Sequence, residues 1–283
     1  MILGGATGLL GQALARALAS AGYECALVGR PDLDVTDQDS LTACINKFSP
    51  AYIVNTIAYT QVELAEEQEQ EALLLNRALP SLLGRIVKNT SMYLVHYSTD
   101  FVFNGKKTTP YTEDDVASPL CVYGQSKLEG EQALLRQNLD NCCIVRTAWL
   151  FGPGKKNFVQ TMINLAVQKK SLSVVADQIG SPTYTADLAQ YSLKLLTTKP
   201  SGIVHIVNAG QASWCELAAE TMRLTQMECL VTPVPSAAYP QKAMRPPYSV
   251  LSTERFTKLT GSTPRPWPQA LADYINTEFL QAE

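Results

Sequence analysis

The chain has 283 residues, 46% of them apolar and 17% charged, with a formal net charge of −3. This is the balance of a globular protein with one large domain or two smaller ones, and it excludes a whole-chain basic field that would draw the protein onto nucleic acid or an anionic membrane. Seven cysteines without a C-x-x-C pair, and only His96 and His205 beside them, point to buried thiols in a reducing compartment and to neither a disulfide framework nor a metal site.

In chain order, a short extended run at 1–3 leads through glycines into a helix expected over 11–21. Strand 24–28 follows, then a helix near 39–48 with Asp39 as its N-cap. Strand 52–57 precedes helices near 62–74 and 76–88. Strand 93–98, a helix over 127–136 and an extended run at 143–150 complete the series. The start runs directly into the glycine turn without a basic and then apolar leader, and no apolar run approaches the roughly 18 residues of a membrane span. A cytoplasmic protein is expected.

Strands that alternate with helices and are continuously apolar predict a parallel sheet covered on both faces. The fold class read from this pattern is α/β, a Rossmann-like doubly wound sheet with a smaller C-terminal lobe. After Phe151 the pattern loosens. A loop at 152–156, a helix at 157–168 and a strand at 172–175 come first. A helix at 185–196 and a strand at 202–208 read as one more unit of the first sheet, and 210–283 is rich in proline loops. The expected division is 1–150 plus about 185–209 for a dinucleotide-binding domain, and about 151–184 plus 210–283 for a substrate-binding lobe.

Gly5, Gly8 and Gly11 form G-x-x-G-x-x-G between the first strand and first helix. Glycine permits a sharp turn and close approach to a diphosphate, which the amides of Leu9 and Leu10 at the helix start would face. A plain tight turn is the alternative. Where an acidic residue would hold an adenosine ribose hydroxyl, about 20 residues past the turn, the chain has Gly29 and Arg30. A cation there suits a 2′-phosphate, so NADPH is favoured over NADH. A solvated loop cation is the bland alternative for Arg30.

Tyr123 and Lys127 form Y-x-x-x-K on one face of a helix. A free phenol titrates near pH 10, too high for efficient proton traffic at neutrality, and a neighbouring ammonium lowers it. Lysine can also hold the nicotinamide ribose. Thr99 stands at the carboxyl end of a strand, where open α/β sheets bind ligands, and can hydrogen-bond a substrate carbonyl. A surface pair and a strand-end cap are the alternatives. His96 reads as a core histidine without a role.

At these residues the chain resembles the extended short-chain dehydrogenase/reductases, and more closely the dTDP-4-dehydrorhamnose reductase family. The likeness runs through Gly5–Gly11, 33–37, 54–63, 98–105, 123–129, 146–152, 177–183 and Arg245-Pro246. The resemblance implies hydride delivery from NAD(P)H to the C4 ketone of dTDP-4-dehydro-L-rhamnose. Tyr123 would be the proton donor, Thr99 would polarise the carbonyl and Lys127 would tune Tyr123. Asp34 and Val35 would sit by the adenine, and Ala58, Tyr59 and Thr60 would line the dinucleotide. Thr99, Asp100 and Trp149 would meet the nucleotide-sugar. The family also suggests a homodimer.

Glu63 stands where the family usually has aspartate, and Cys121 where it has asparagine, which leaves related 4-keto sugars open. Nucleotide-sugar dehydratases carry an Asp-Glu pair after the threonine, whereas Phe101 follows Asp100 here. An epimerase would keep the same triad. A regulatory subunit like that of methionine adenosyltransferase, which resembles the family and binds NADP, is the non-catalytic alternative. Lys155, Lys156, Arg245 and Arg265 are candidates to meet the substrate diphosphate.

Overall fold

The computed structural model describes residues 1–29, 33–35 and 37–280; Arg30 lies outside the described residues. Six parallel strands form the main sheet: β1 (Ile2–Leu3), β2 (Leu27–Val28), β3 (Tyr52–Asn55), β4 (Tyr93–Thr99), β5 (Cys142–Thr147) and β10 (Gly202–His205), in the order β10-β5-β4-β3-β1-β2. The order reverses between β1 and β3. In an open α/β sheet the crevice for a ligand lies at that switch point, outside the carboxyl ends of the strands.

Alternate strand residues feed two cores, which is why the strands read as uninterrupted apolar runs. On one face Ile2, Val54, Val95, Tyr97 and Val145 meet Leu10, Leu14 and Ala17 of α1 (Leu9–Ser20) and Leu188 and Leu195 of α8 (Thr185–Thr198). On the other, Leu3, Ile53, Leu94 and Ile144 meet Leu41 and Ile45 of α2 (Gln38–Phe48), and Leu79, Leu83 and Val87 of α5 (Leu79–Val87). The expected doubly wound α/β architecture is therefore present. No helix among the described residues is long and apolar enough to cross a membrane.

Several boundaries differ from expectation for identifiable reasons. Strand β2 is only two residues long, because it pairs solely with the equally short β1. The cap of α2 is Asp37, not Asp39: its carboxylate accepts the amides of Asp39 at 3.3 Å and Ser40 at 3.1 Å. Strand β5 stops at Thr147. Trp149 then turns in the left-handed region at φ 46°, and β6 (Leu150–Phe151) pairs instead with β9 (Thr183–Tyr184).

The two helices expected over 62–88 are α3 (Val62–Ala65), α4 (Glu69–Leu73), a π-helical turn over Leu74–Ala78, and α5. Pro80 has no N–H to give to the carbonyl of Asn76, so the regular ladder cannot continue through it. That carbonyl lies instead against Gly130 of α6 (Val122–Leu135), where an added Cβ would come within 2.0 Å of it.

The proline-rich final quarter is more regular than expected. It holds α9 (Trp214–Thr225), β12 (Leu230–Val234), α10 (Glu254–Thr260) and α11 (Trp267–Ile275). Strand β12 pairs with β7 (Ser171–Val175), and β11 (Ala212–Ser213) with β8 (Ile179–Gly180). Helix α7 (Phe158–Ala166) packs with α9 and α11 around Phe151, Leu217, Trp267 and Tyr274. The fork of Arg265 on Asp187, at 2.7 and 2.8 Å, ties the segment before α11 to α8.

The Asn76–Gly130 contact is a direct test of this packing. Gly130→Ala is expected to lower unfolding free energy by about 1–3 kcal/mol, the usual range for overpacking. An unchanged denaturant midpoint would contradict it.

Candidate active site

The glycine turn closes on itself. Gly4 has φ 83° and its carbonyl accepts the Gly8 amide at 3.1 Å. A Cβ at Gly8 would lie 2.9 Å from that oxygen and one at Gly11 2.5 Å from it. Any side chain at these positions would fill the cradle. Among the described residues no side chain caps α1 at Gly8, so the helix start presents amides, favourable to an anion. Leu10 is buried in the core and Leu9 is half-buried. The groups fit a dinucleotide diphosphate.

Along the same edge, Val35 is buried in the sheet core, while Asp34 is exposed and its carbonyl accepts the Asp37 amide at 3.2 Å. Ala58 is half-buried and Thr60 exposed. Between them Tyr59 is fixed on both backbone groups by buried Asn76, whose Oδ1 accepts its N–H at 2.9 Å and whose Nδ2 donates to its carbonyl at 3.1 Å. The same Nδ2 reaches Ser126 Oγ at 2.9 Å, and Ser126 donates to the Tyr123 carbonyl at 2.8 Å. Asn76 thus joins the 58–60 segment to α6. Sequence reading missed it; a polar residue on the apolar stripe of a helix was the only local sign.

Tyr123 and Lys127 sit in the first two turns of α6, against the end of β4. Gly124 makes this approach possible, since a Cβ there would be 2.3 Å from the Phe101 carbonyl. The Phe101 ring meets Tyr123 edge-on with centroids 5.6 Å apart. Burial pushes the Tyr123 phenol well above its ordinary value, the Thr99 hydroxyl beside it opposes the shift, and the charge of Asp100 adds to it.

Lys127 is 2% exposed. Its Nζ donates to the Tyr97 carbonyl at 2.6 Å and lies 3.5 Å from His96 Nε2. Burial pushes its pKa down to about 8, against the raising effect of Glu131 one turn along α6. His96, read as an idle core residue, therefore lines the lysine pocket. It is hydrogen-bonded to Asn55 at 3.0 Å, and burial followed by the Lys127 charge holds it well below its ordinary value.

Beneath the lysine is a buried ion pair that the sequence did not reveal. Arg146 forks onto Glu131 through Nε at 2.9 Å and Nη2 at 2.6 Å, and Ser98 donates to the same carboxylate at 2.5 Å. The pair secures the residue preceding Thr99. Thr99 itself donates to Asp100 Oδ1 at 3.0 Å and accepts the Phe101 amide at 3.2 Å. Asp100 is buried, and its second oxygen accepts from Ser249 Oγ at 2.5 Å. Burial raises its pKa to about 6, with the Ser249 and Thr99 hydroxyls opposing.

Cys121 is the N-cap of α6, its Sγ accepting the Gly124 amide at 3.5 Å, and burial pushes the thiol up. The Val122 amide goes to Glu66 at 2.8 Å. Glu63 straps the C-terminal segment: Oε2 accepts the amides of Lys242 at 2.8 Å and Ala243 at 3.3 Å, and Oε1 accepts Arg245 Nη2 at 2.9 Å. Arg245 thus pairs with Glu63 through Nη2 while its buried Nε has no partner among the described residues, and Arg265 pairs with Asp187 and Asp273. Lys155 and Lys156 are exposed in a loop where Gly154 abuts Gln12 of α1. Trp149 stacks on Trp214 with centroids 3.5 Å apart, and a Cβ at Gly180 would collide with its indole.

Residues 1–279 match the family described as the RmlD substrate binding domain. The chain belongs to this family. It is 40% identical to the spore coat polysaccharide biosynthesis protein SpsK of Bacillus subtilis, over 97% of this chain and 96% of that protein. It is also 40% identical to a dTDP-4-dehydrorhamnose reductase of Streptomyces griseus, covering 95% of this chain and 90% of the relative. The solved dTDP-4-dehydrorhamnose reductase of Bacillus anthracis, in complex with NADP, superposes with a TM-score of 0.93 at 34% identity, covering 98% of each chain. The family resemblance read from the motifs is borne out.

In this RmlD-family chain the strap from Glu63 can be checked without a substrate. Glu63→Ala is expected to speed hydrogen exchange of the Lys242 and Ala243 amides by about tenfold or more, since hydrogen bonds to a charged group contribute roughly 1.5–3 kcal/mol. Unchanged protection of both would remove the strap.

Proposed function

We propose that the chain is an NADPH-dependent reductase of the C4 ketone of a nucleotide-linked 4-keto-6-deoxy sugar, with dTDP-4-dehydro-L-rhamnose as substrate and dTDP-L-rhamnose as product. The carrying observation is the convergence of Thr99, Tyr123 and Lys127 at the carboxyl end of β4, on the sheet edge that also bears the glycine cradle. The named activity of the Streptomyces griseus relative and the NADP of the Bacillus anthracis structure support the reading.

The cofactor, when bound, supplies the hydride. The chain's residues do the rest. Gly5, Gly8, Leu9, Leu10 and Gly11 offer backbone room and amides to the diphosphate. Asp34, Val35, Ala58, Tyr59 and Thr60 line the dinucleotide, and Arg30 meets the 2′-phosphate. Lys127 holds the nicotinamide ribose and favours ionisation of Tyr123 as the phenol gives up its proton. Tyr123 passes that proton to the ketone oxygen as the hydride reaches C4, so the product is the neutral alcohol. Phe101, following Asp100, offers no base for expelling water, which favours reduction over dehydration.

Trp149 presents an indole already fixed by Trp214, at low entropic cost to a nucleotide-sugar. Residues 1–150 with about 185–209 form the cofactor domain in this reading, and about 151–184 with 210–283 the substrate lobe. The protein works in the cytoplasm as a homodimer.

The test is NADPH oxidation with a panel of dTDP-4-keto sugars. Turnover with one of them and its loss by about 10²–10⁴-fold in Tyr123→Phe, with NADPH affinity retained, is expected. Tight NADP binding without turnover of any member would instead support a regulatory protein. Arg30→Ala is expected to raise the KM for NADPH and leave that for NADH unchanged; a retained NADPH preference would remove Arg30 from the cofactor site.

A further inference from the structure

We infer that Ser249, acting through Asp100, is a positioning residue that decides where the single hydroxyl proton of Thr99 points. The inference rests on the reductase reading for its consequence in catalysis, but not for its geometry.

A threonine hydroxyl has one proton and two acceptor positions. In this structure the proton goes to Asp100 Oδ1 at 3.0 Å, and one acceptor position takes the Phe101 amide at 3.2 Å. What remains to face Tyr123 is a lone pair. While its proton stays on Asp100, Thr99 has none to give Tyr123; turned towards Tyr123, the same hydroxyl steadies the phenolate and lowers the phenol's pKa. In this arrangement Tyr123 has a proton to offer a ketone oxygen, and Thr99, expected to polarise that oxygen, can do so only when its proton leaves Asp100. Once that proton has left, a phenolate at Tyr123 competes with the Asp100 carboxylate for the proton of Thr99. Backbone amides of its own turn also serve Asp100, and the outcome depends on how well it is served by its other side-chain donor.

That donor is Ser249, at 2.5 Å from Oδ2. No cation pairs with Asp100 among the described residues. The titratable group facing it from α6 is Tyr123, and the groups facing it from its own turn and from the C-terminal segment are the hydroxyls of Thr99 and Ser249. Ser249 is 2% exposed and firmly held: its amide donates to the Ile179 carbonyl at 2.8 Å, and the Leu251 amide next along the segment reaches Ser181 Oγ at 3.3 Å. It lies a few residues beyond the strap on Glu63. The position of the C-terminal segment is thereby linked to the direction of a proton beside Tyr123.

Removing the serine hydroxyl leaves a buried carboxylate with one side-chain donor fewer, which favours its protonated form. A neutral Asp100 no longer demands the Thr99 proton, so the arrangement is lost on the acid side. The test compares wild type, Ser249→Ala and Ser249→Thr by carboxyl carbon NMR titration, with the Asp100 signal assigned through Asp100→Asn, alongside the pH profile of kcat/KM.

The expected result is a rise of about one pH unit or more in the Asp100 midpoint in Ser249→Ala, with the acid limb of kcat/KM moving up equally, NADPH affinity unchanged, and both restored in Ser249→Thr. A midpoint and an acid limb identical to wild type would overturn the inference, as would a uniform loss of kcat without a shift in the limb. If no keto sugar is turned over by wild type, the functional reading fails while the NMR titration still decides the role of Ser249.

Discussion

The ammonium of Lys127 is almost wholly removed from water, and much of the site follows from keeping it there. Burying an unpaired charge costs several kcal/mol even after relaxation. The offsetting groups come from separate parts of the chain: the Tyr97 carbonyl from β4 and the Glu131 carboxylate from the next turn of α6. Glu131 is itself buried and is neutralised by the fork of Arg146 from β5. Strand β4, helix α6 and strand β5 are thus locked in one relative position by charge as well as by packing. The residue at the end of β4, Thr99, inherits its place from this lock through Ser98.

Close approach is the second requirement. Helix α6 touches the turn after β4 at Gly124 and the π-helical segment at Gly130, and neither contact tolerates a Cβ. The glycine turn after β1 obeys the same rule. At the glycine turn and along α6, backbone thus comes nearer than side chains would allow, while Asn76 keeps the 58–60 segment in register with α6. On the opposite side, Glu63 and Glu66 hold the C-terminal strap and the start of α6 respectively, so the C-terminal segment is anchored to the same short helix that borders Tyr123.

What could be read in advance was local. The strand, glycine turn and helix at the start, the tyrosine and lysine one turn apart, and the threonine at a strand end each lie within a few residues, where periodicity and turn chemistry speak directly. The fold class followed from the same alternation. What escaped depends on partners far apart in the chain. Asn76 meets Tyr59 and Ser126, Arg146 meets Glu131, and Ser249 meets Asp100 across 149 positions. Other misses came from competing local effects. Pro80 converts two expected helices into a π-helical junction, Asp37 outcompetes Asp39 as a cap, and the left-handed turn at Trp149 ends β5 early. Arg245 and Arg265, candidates to meet a substrate diphosphate, also pair with carboxylates.

Cys121 and Glu63, the two departures from the usual family residues, occupy structural positions: one caps α6 and the other ties down the strap. Hydride transfer to the sugar has a direct isotopic test. NADPH carrying deuterium at its transferable position, incubated with the protein and dTDP-4-dehydro-L-rhamnose, is predicted to yield dTDP-L-rhamnose with the deuterium on C4 of the sugar. Recovery of the keto sugar unlabelled, with the cofactor unchanged, would contradict the account.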